Sequence, residues 1–311
     1  MRKVIISGAS GFLGRNLLAL FGEDDDVIAL TSDVRKLEEI SCAAPVRILS
    51  NTAFLESNLD LNGFTLLHLA YARSHEAEPI TDSIQFSVRL LQAAQALGVR
   101  RIIHISSQSL YDVHRAAPAK VSDLVWPTNL YDIGKYYLEH WISEFAVKNR
   151  WDFVHLRIAS LVGNNFPQRI TTRLVQNALT KGEISINLNG KLFSYTHVRD
   201  VADAILIAQC MEDPAFWNQT YNVGSMESYP LTHVAKAIGE VCAEEGITVT
   251  IHEAPAPENG ENSSLDSLDF MERTGWQAKF SLKDIIRDEV KFQLRQNNDS
   301  LSRTKGNGLN V

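Results

Sequence analysis

Cysteine is scarce in this sequence, and the three that occur, Cys42, Cys210 and Cys242, stand far apart with no C-x-x-C pair among them. Such spacing excludes a disulfide framework and a zinc site, so no metal is expected, and a reducing, cytoplasmic location fits. Basic residues are in deficit: 30 Lys and Arg face 37 Asp and Glu, a formal net charge of −7. No cationic excess is left to neutralise a phosphate backbone or an anionic bilayer, so neither a nucleic acid nor a membrane is expected as a partner. Long apolar runs are missing too. None approaches the ~18 residues of a membrane span. Val4, Ile5 and Ile6, after Arg2 and Lys3, are too short a core for an export signal. What is there is an ordinary globular composition over 311 residues, 45% hydrophobic and 22% charged. It rules out global disorder and suffices for one large or two small domains.

Short runs rich in β-branched residues alternate with helical patterns through the first half, predicting strands at 3–7, 26–31, 46–49, 64–69, 101–106 and 152–157. Between the fourth and fifth, residues 82–97 place Ile84, Val88, Leu91 and Gln95 on one stripe, with Gly98 as the C-terminal stop. Six strands with intervening helices predict an α/β fold, a Rossmann-like doubly wound parallel sheet whose ligand lies across the carboxyl ends of the strands. Past about residue 165 the pattern turns irregular, with a helix at 169–181, an extended segment at 191–198 and a helix at 201–211. We expect residues 1–165 to form the nucleotide-binding domain, with a return segment around 197–224. Residues 166–196 and 225–295 would form a smaller mixed α/β substrate domain. The Pro, Gly, Asn and Ser content of 255–264 predicts a surface loop, and the polar stretch 296–311 a flexible tail.

Gly8-Ala9-Ser10-Gly11-Phe12-Leu13-Gly14 follows the first strand and opens a predicted helix at 12–21. Backbone N–H groups can grip a pyrophosphate only where no side chain intervenes, and three glycines at a spacing of three meet that demand. The cofactor is expected to be NAD or NADP, a choice that stays open. Asp33 lies two residues late for the usual ribose-binding acid, while Ser32, Arg35, Lys36 and Arg15 suit a 2′-phosphate or a solvated helix start equally well.

Tyr131 and Lys135 are i and i+4 at the start of a predicted helix reaching about Asn149, so they share one face. A phenol titrates near 10, and its use as a base at neutral pH asks for a nearby cation, which an ammonium supplies. Ser106 and Ser107 end the fifth strand at the edge where the fold puts its ligand. The Ser107 hydroxyl can hold a substrate oxygen in line with the tyrosine, or simply satisfy backbone groups in a turn.

Together these residues resemble the extended short-chain dehydrogenase/reductases, the NAD-dependent epimerase/dehydratase family. The likeness rests on the glycine turn, Ser107 four residues before Tyr111, and Tyr131-x-x-x-Lys135 followed by Glu139. It continues through Leu69-Ala70, Arg157 to Gly163, His197-Val198-Arg199-Asp200-Val201-Ala202, Tyr221-Asn222-Val223-Gly224 and Gly275-Trp276. The resemblance implies a proton exchanged by Tyr131, a reacting oxygen bound by Ser107, a nicotinamide ribose held by Lys135 and a hydride passed at the nicotinamide. It also implies a cofactor contacted by Gly8, Ser10, Gly11, Phe12, Leu13, Gly14, Arg15, Thr31, Ser32, Leu69, Ala70, Tyr131, Lys135 and Ile158. The substrate, a small molecule and for most such proteins a nucleotide-sugar, would meet Ser109, Ser160, Asn164 and Arg199. A homodimer through the Tyr131 helix is implied by the same likeness, with Trp141 and Phe145 read equally well as contacts in it or as sheet-facing core.

Departures from the family pattern sharpen the expectation. Dehydratases carry Asp-Glu after the hydroxyl residue, but Gln108-Ser109 follow Ser107 here, which disfavours elimination. The GDP-sugar epimerase/reductase branch has a cysteine where Ser109 stands. Phe193 and Glu258 occupy positions where diphosphate-clamping arginines are common, and Ser83 and Ser160 positions where Asn is common; Arg169, Arg173, Lys181, Lys191 or Arg199 are the cations left to bind phosphates. Three functions follow: an NAD(P)-dependent epimerase or reductase acting at a sugar carbon, C4 of a nucleotide-sugar in the leading version; an NADPH-dependent reductase of a carbonyl compound without a diphosphate; and a dinucleotide-binding regulator without catalysis.

Overall fold

Strand β1 (Lys3–Ser7) sends its side chains alternately into two hydrophobic layers, Val4 and Ile6 to one face and Ile5 to the other. β2 (Asp26–Thr31) does the same with Val27 and Ala29 against Ile28 and Leu30. A strand covered on both faces reads as a continuous apolar run, which is why these segments stand out in the sequence. The computed structural model describes all residues except 39, 41, 165, 167–169, 259 and 307–311.

The main sheet adds β3 (Val46–Ser50), β4 (Thr65–His68), β5 (Arg101–Ser107) and β6 (Asp152–Ile158). On one face lie α2 (Asn51–Leu55), α3 (Ala77–Ala96) and α4 (Leu130–Asn149), whose Phe54, Leu90, Leu91, Leu138 and Ile142 share a core with Ile5 and Ile102. On the other lies α1 (Phe12–Leu18), through Leu13 and Leu17.

Beyond β6 the chain runs through β7 (Leu161–Val162), α5 (Ile170–Lys181), β8 (Glu183–Leu188), β9 (Leu192–Phe193), β10 (Thr196–His197) and α6 (Val198–Gln209). It then forms β11 (Gln219–Val223), β12 (Tyr229–Pro230), α7 (Leu231–Glu244), β13 (Thr250–Pro255), α8 (Leu268–Thr274) and α9 (Leu282–Gly306). α6 packs beside α1, and β11 returns to the main sheet, whose order is β3-β2-β1-β4-β5-β6-β11 with every neighbouring pair parallel. The doubly wound α/β sheet is therefore present. α5, α7 and α9 enclose a separate core with the parallel pair β8 and β13.

Several expectations are corrected. The sheet has a seventh strand, β11, hidden in the sequence because Gln219, Thr220 and Asn222 leave it no apolar run; the Asn222 amide is buried and bonded to Ala119 O at 2.8 Å and to the Tyr111 hydroxyl at 2.8 Å. α3 begins at Ala77, five residues early, because Pro79 stands in the first turn, where its missing N–H costs nothing. Residues 255–264 are not all surface loop: Pro255 ends β13, while Asn262 and Ser264 are buried and strapped to Val113 and Ala119. Helix α9 runs on to Gly306 through most of the stretch expected to fray, which holds no proline. Residues 307–311 lie outside the described ones. Among the described residues, no helix is long and apolar enough to cross a membrane, and no three His, Cys, Asp or Glu side chains gather to hold a metal ion.

Candidate functional site

The sheet order reverses between β1 and β4, and there the carboxyl ends of β1, β4, β5 and β6 open a crevice of about 440 Å³. That volume suits a small-molecule ligand, and the place is the topological switch point at which doubly wound sheets bind. A second hollow of about 460 Å³, lined by Glu23 to Asp26 and Pro45 to Arg47, lies at the amino ends of β2 and β3, away from the switch point; its Asp25 carboxylate is taken up by the Arg2 guanidinium and N–H and the Gly22 N–H.

The glycine turn forms one edge of the crevice. Gly8 has φ of +73°, and a Cβ on it would come within 2.8 Å of Ala70 N. A Cβ on Gly14 would lie 2.5 Å from Gly8 O and 2.6 Å from Ala9 O. Only glycine lets the turn press against the segment after β4 and lets α1 start directly on it. Gly11 caps α1 with extended backbone and no side-chain hydrogen bond. The result is a turn whose backbone carries no Cβ at Gly8, Gly11 and Gly14, a fit for the pyrophosphate of a dinucleotide.

Gly8, Gly11, Phe12, Leu13, Gly14, Leu69 and Ile158 line the crevice, with Ser107, Ser109, Tyr131, Lys135 and Ser160. Ser10, Arg15, Thr31, Ser32 and Ala70 stand behind or beside it. Thr31 Oγ1 donates to Ser10 Oγ at 2.8 Å, and the Arg15 guanidinium donates to Ser10 O and Lys36 O. Arg35 makes a two-pronged pair with Asp33 at 2.9 and 3.0 Å, so two of the groups put forward for a 2′-phosphate are engaged elsewhere. Arg199 is exposed on the first turn of α6 and does not line the crevice; Asn164 lies outside it with Oδ1 buried and unpartnered among the described residues. Lys191 is ion-paired to Glu261, Phe193 stacks on Tyr195, and Arg169 lies outside the described residues.

Tyr131 occupies the first turn of α4, half-buried and edge-on to the Tyr71 ring at 5.4 Å. Lys135, one turn on, is fully enclosed: its Nζ donates to Ile105 O at 2.6 Å and lies 4.3 Å from the Tyr71 ring centroid. Burial pulls its pKa down to about 7. Beneath it, His68, His104 and His155 stand in register across β4, β5 and β6. Burial holds all three below the ordinary imidazole range, His68 at about 3 and His155 at about 4, so they are neutral and add no charge beneath Lys135, which is an ammonium below about pH 7.

Several crevice residues carry no motif signal: Tyr71, Arg73 and His75 from the segment after β4, Gln108, Asp132 and Phe166. Tyr71 reaches α4 only because residue 134 is glycine; a Cβ there would meet its hydroxyl at 2.0 Å. Phe166 stacks on Phe12 at 4.4 Å, with the Arg73 guanidinium 4.8 Å from its ring. The Gln108 side-chain oxygen is buried without a hydrogen-bond partner among the described residues, an acceptor on the crevice wall. Trp141 and Phe145, read as dimer contacts or as sheet-facing core, stack on each other at 5.2 Å and pack against their own sheet.

Residues 4–224 match the model of the NAD dependent epimerase/dehydratase family. The chain belongs to that family. Among curated relatives it is 26% identical to UDP-glucose 4-epimerase of Mycolicibacterium smegmatis, over 93% of this chain and 98% of that one. It is 24% identical to the putative GDP-L-fucose synthase 2 of Oryza sativa subsp. japonica, over 94% and 87%. Among solved structures, the UDP-glucose-4-epimerase of Stenotrophomonas maltophila, with bound NAD and formylated UDP-arabinopyranose, superposes with a TM-score of 0.80 at 19% identity. That match covers 96% of this chain and 100% of that one, and shows the family fold.

Proposed function

We propose that this family member is an NAD(P)-dependent epimerase or reductase that moves a hydride at C4 of a nucleotide-sugar. The observation that carries the reading is the convergence of Ser107, Tyr131 and Lys135 on one crevice whose edge is the glycine turn. A bound nicotinamide supplies the hydride acceptor and donor. The turn from Gly8 to Gly14 would take the pyrophosphate, and Lys135 would hold the nicotinamide ribose. Tyr131 takes the proton from the sugar hydroxyl as it becomes a carbonyl and returns it on reduction, while Ser107 holds the same oxygen. Lys135 favours the phenolate by its charge. We infer NAD as the preferred form, since Arg15 and Arg35, two of the cations placed for a 2′-phosphate, are engaged by Ser10 O, Lys36 O and Asp33.

Names among the relatives support UDP-sugars, as in the epimerase of Mycolicibacterium smegmatis. One observation favours the diphosphate-free carbonyl substrate instead: in the smaller lobe Lys191 is held by Glu261, and Phe193 stands where a clamping arginine would. Incubation with NAD+ or NADP+ and a panel of UDP-, GDP- and dTDP-sugars, followed by sugar NMR, separates these. Interconversion of C4 epimers is expected, with NAD+ the tighter binder by calorimetry. A panel left intact, with diphosphate-free carbonyls reduced, selects the second reading.

The same proposal includes a cytoplasmic homodimer. Ile133 and Tyr137 on α4 are 51% and 48% exposed beside Ile84 of α3, an apolar face of the kind that pairs helices between copies. Sedimentation velocity is expected to show a dimer in the parent and a monomer in Ile133→Glu; a monomeric parent would remove the dimer from the reading.

A further inference from the structure

Behind Ser107 runs a line of hydrogen bonds that the reaction outlined above does not use. Ser107 Oγ and Ser109 Oγ are 2.8 Å apart, and the Ser109 N–H donates to Ser107 Oγ at 3.1 Å. Ser109 Oγ donates to Asp132 Oδ1 at 2.5 Å. The other carboxylate oxygen accepts from Asn129 Nδ2 at 2.6 Å, and Asn129 in turn caps α4 by accepting from the Asp132 N–H. Asp132 is therefore a buried carboxyl, fixed at both oxygens, with one hydroxyl, that of Ser109, between it and the group that holds the reacting oxygen.

A hydroxyl has one proton to give, and an ionised carboxylate has none. While Asp132 is ionised, the Ser109 proton is committed to it. The Ser107 proton must then fill the contact between the two serines, and Ser107 turns only a lone pair to the crevice. Put a proton on Asp132 and the line reverses: the carboxyl donates to Ser109, Ser109 donates to Ser107, and the Ser107 proton is released toward the crevice. A sugar oxygen gathering negative charge as it becomes, or ceases to be, a carbonyl needs that donor in both directions.

Building on the proposed reaction at C4, we infer that Asp132 and Ser109 are positioning residues that decide whether Ser107 can donate its proton to the substrate oxygen. No proton leaves the line in the switch; one is taken from solvent by Asp132 and two hydroxyls rotate. Burial raises the Asp132 pKa above the ordinary carboxylate range, against the donors Ser109, Thr128 N–H and Asn129. The titratable groups facing it are His75, which lowers it, and the phenols of Tyr71 and Tyr131, with Lys135 one turn further along α4.

Asp132→Asn gives a sharp test. Asn129 Nδ2 demands an acceptor at Oδ2, so the new amide presents its oxygen there and its NH2 to Ser109, imitating the protonated acid at every pH. With UDP-glucose and NAD+, and with UDP-4-ketoglucose and NADH, single-turnover rates of the parent are expected to fall about tenfold as Asp132 ionises, the worth of one hydrogen bond. Asp132→Asn is expected to lose that limb and run about tenfold faster than the parent above it. A second measurement needs no substrate: the carboxylic C=O band of Asp132 in infrared difference spectra, parent against Asp132→Asn. Ser109→Ala should move its titration up by about one pH unit, because the carboxylate loses a donor. An Asp132→Asn variant that is slower at all pH and keeps the limb overturns the inference, and so does an Asp132 titration unmoved in Ser109→Ala. If neither sugar reacts with the parent, the substrate reading fails while the infrared titration still decides the coupling.

Discussion

Tyr131→Phe is expected to lower kcat by about a thousandfold, within the range set by loss of a positioned acid-base group. Cofactor affinity should stay within about twofold. The substitution removes one oxygen and leaves the ring, and the ring is what packs: it meets Tyr71 edge-on at 5.4 Å and His75 at 6.5 Å. Phenylalanine keeps both contacts, so the melting temperature should move by no more than a degree or two, as for a substitution away from core packing. A large kcat loss at constant cofactor Kd and constant Tm locates the defect in proton transfer rather than in the shape of the crevice. A variant that turns over as fast as the parent would leave Tyr131 a packing residue and remove the proposed reaction. The same measurement separates Tyr131 from Tyr71, whose phenol burial and the neighbouring Asp132 hold above the ordinary range and which is therefore a poor base.

The parts of this site that could be read from the sequence are those in which function imposes a local pattern. Gly8, Gly11 and Gly14 are visible because close backbone approach leaves no other residue type, and Tyr131 with Lys135 because one helical turn places them on one face. β1 and β2 are visible because strands covered on both sides are apolar throughout. The residues that escaped notice owe their place to tertiary structure alone. Tyr71, Arg73 and His75 reach the crevice from the segment after β4. Asp132 is adjacent to Tyr131 in the chain, yet its link to Ser109 exists only because α4 docks on the end of β5. A trace was available in the polar run Ser107-Gln108-Ser109, which is unusual at a buried strand end, but no spacing connects it to a residue 23 positions away. In the separate core enclosed by α5, α7 and α9, β8 alternates buried Ile184 and Ile186 with exposed Glu183 and Ser185, a pattern that six residues make too short to separate from a turn of helix. Its partner β13 is largely exposed and has no such alternation at all.

Lys135→Met is expected to cost more than a hundredfold in turnover and at the same time to raise the melting temperature near pH 6 to 7. The activity loss follows from removing the cation that favours the Tyr131 phenolate and would hold the nicotinamide ribose. The gain in stability follows from where that cation is kept. Unfolded, the ammonium titrates near the ordinary 10.5; folded, burial brings it to about 7, with Glu139 opposing the shift. Between those two values the unfolded chain binds the extra proton, so stability rises with pH across the window and the full penalty applies below about pH 7. At about 1.4 kcal/mol per pKa unit the penalty is about 4 to 5 kcal/mol, from which the lost hydrogen bond to Ile105 O subtracts about 1 to 2. Methionine fills the space with a flexible apolar chain, so a net gain of about 2 to 4 kcal/mol, several degrees in Tm, should remain. The advantage should shrink as pH rises from 7, vanish near about pH 9 to 10, where the remaining penalty equals the lost hydrogen bond, and turn into a deficit above about 10.5, as the parent lysine becomes neutral in both states. Thermal scans of parent and variant from pH 6 to 10 check the sign directly. A variant less stable than the parent at pH 6, with an unaltered pH slope, would mean that Lys135 is stabilised as an ammonium by its surroundings, and the account of how this floor holds its charge would have to be rebuilt.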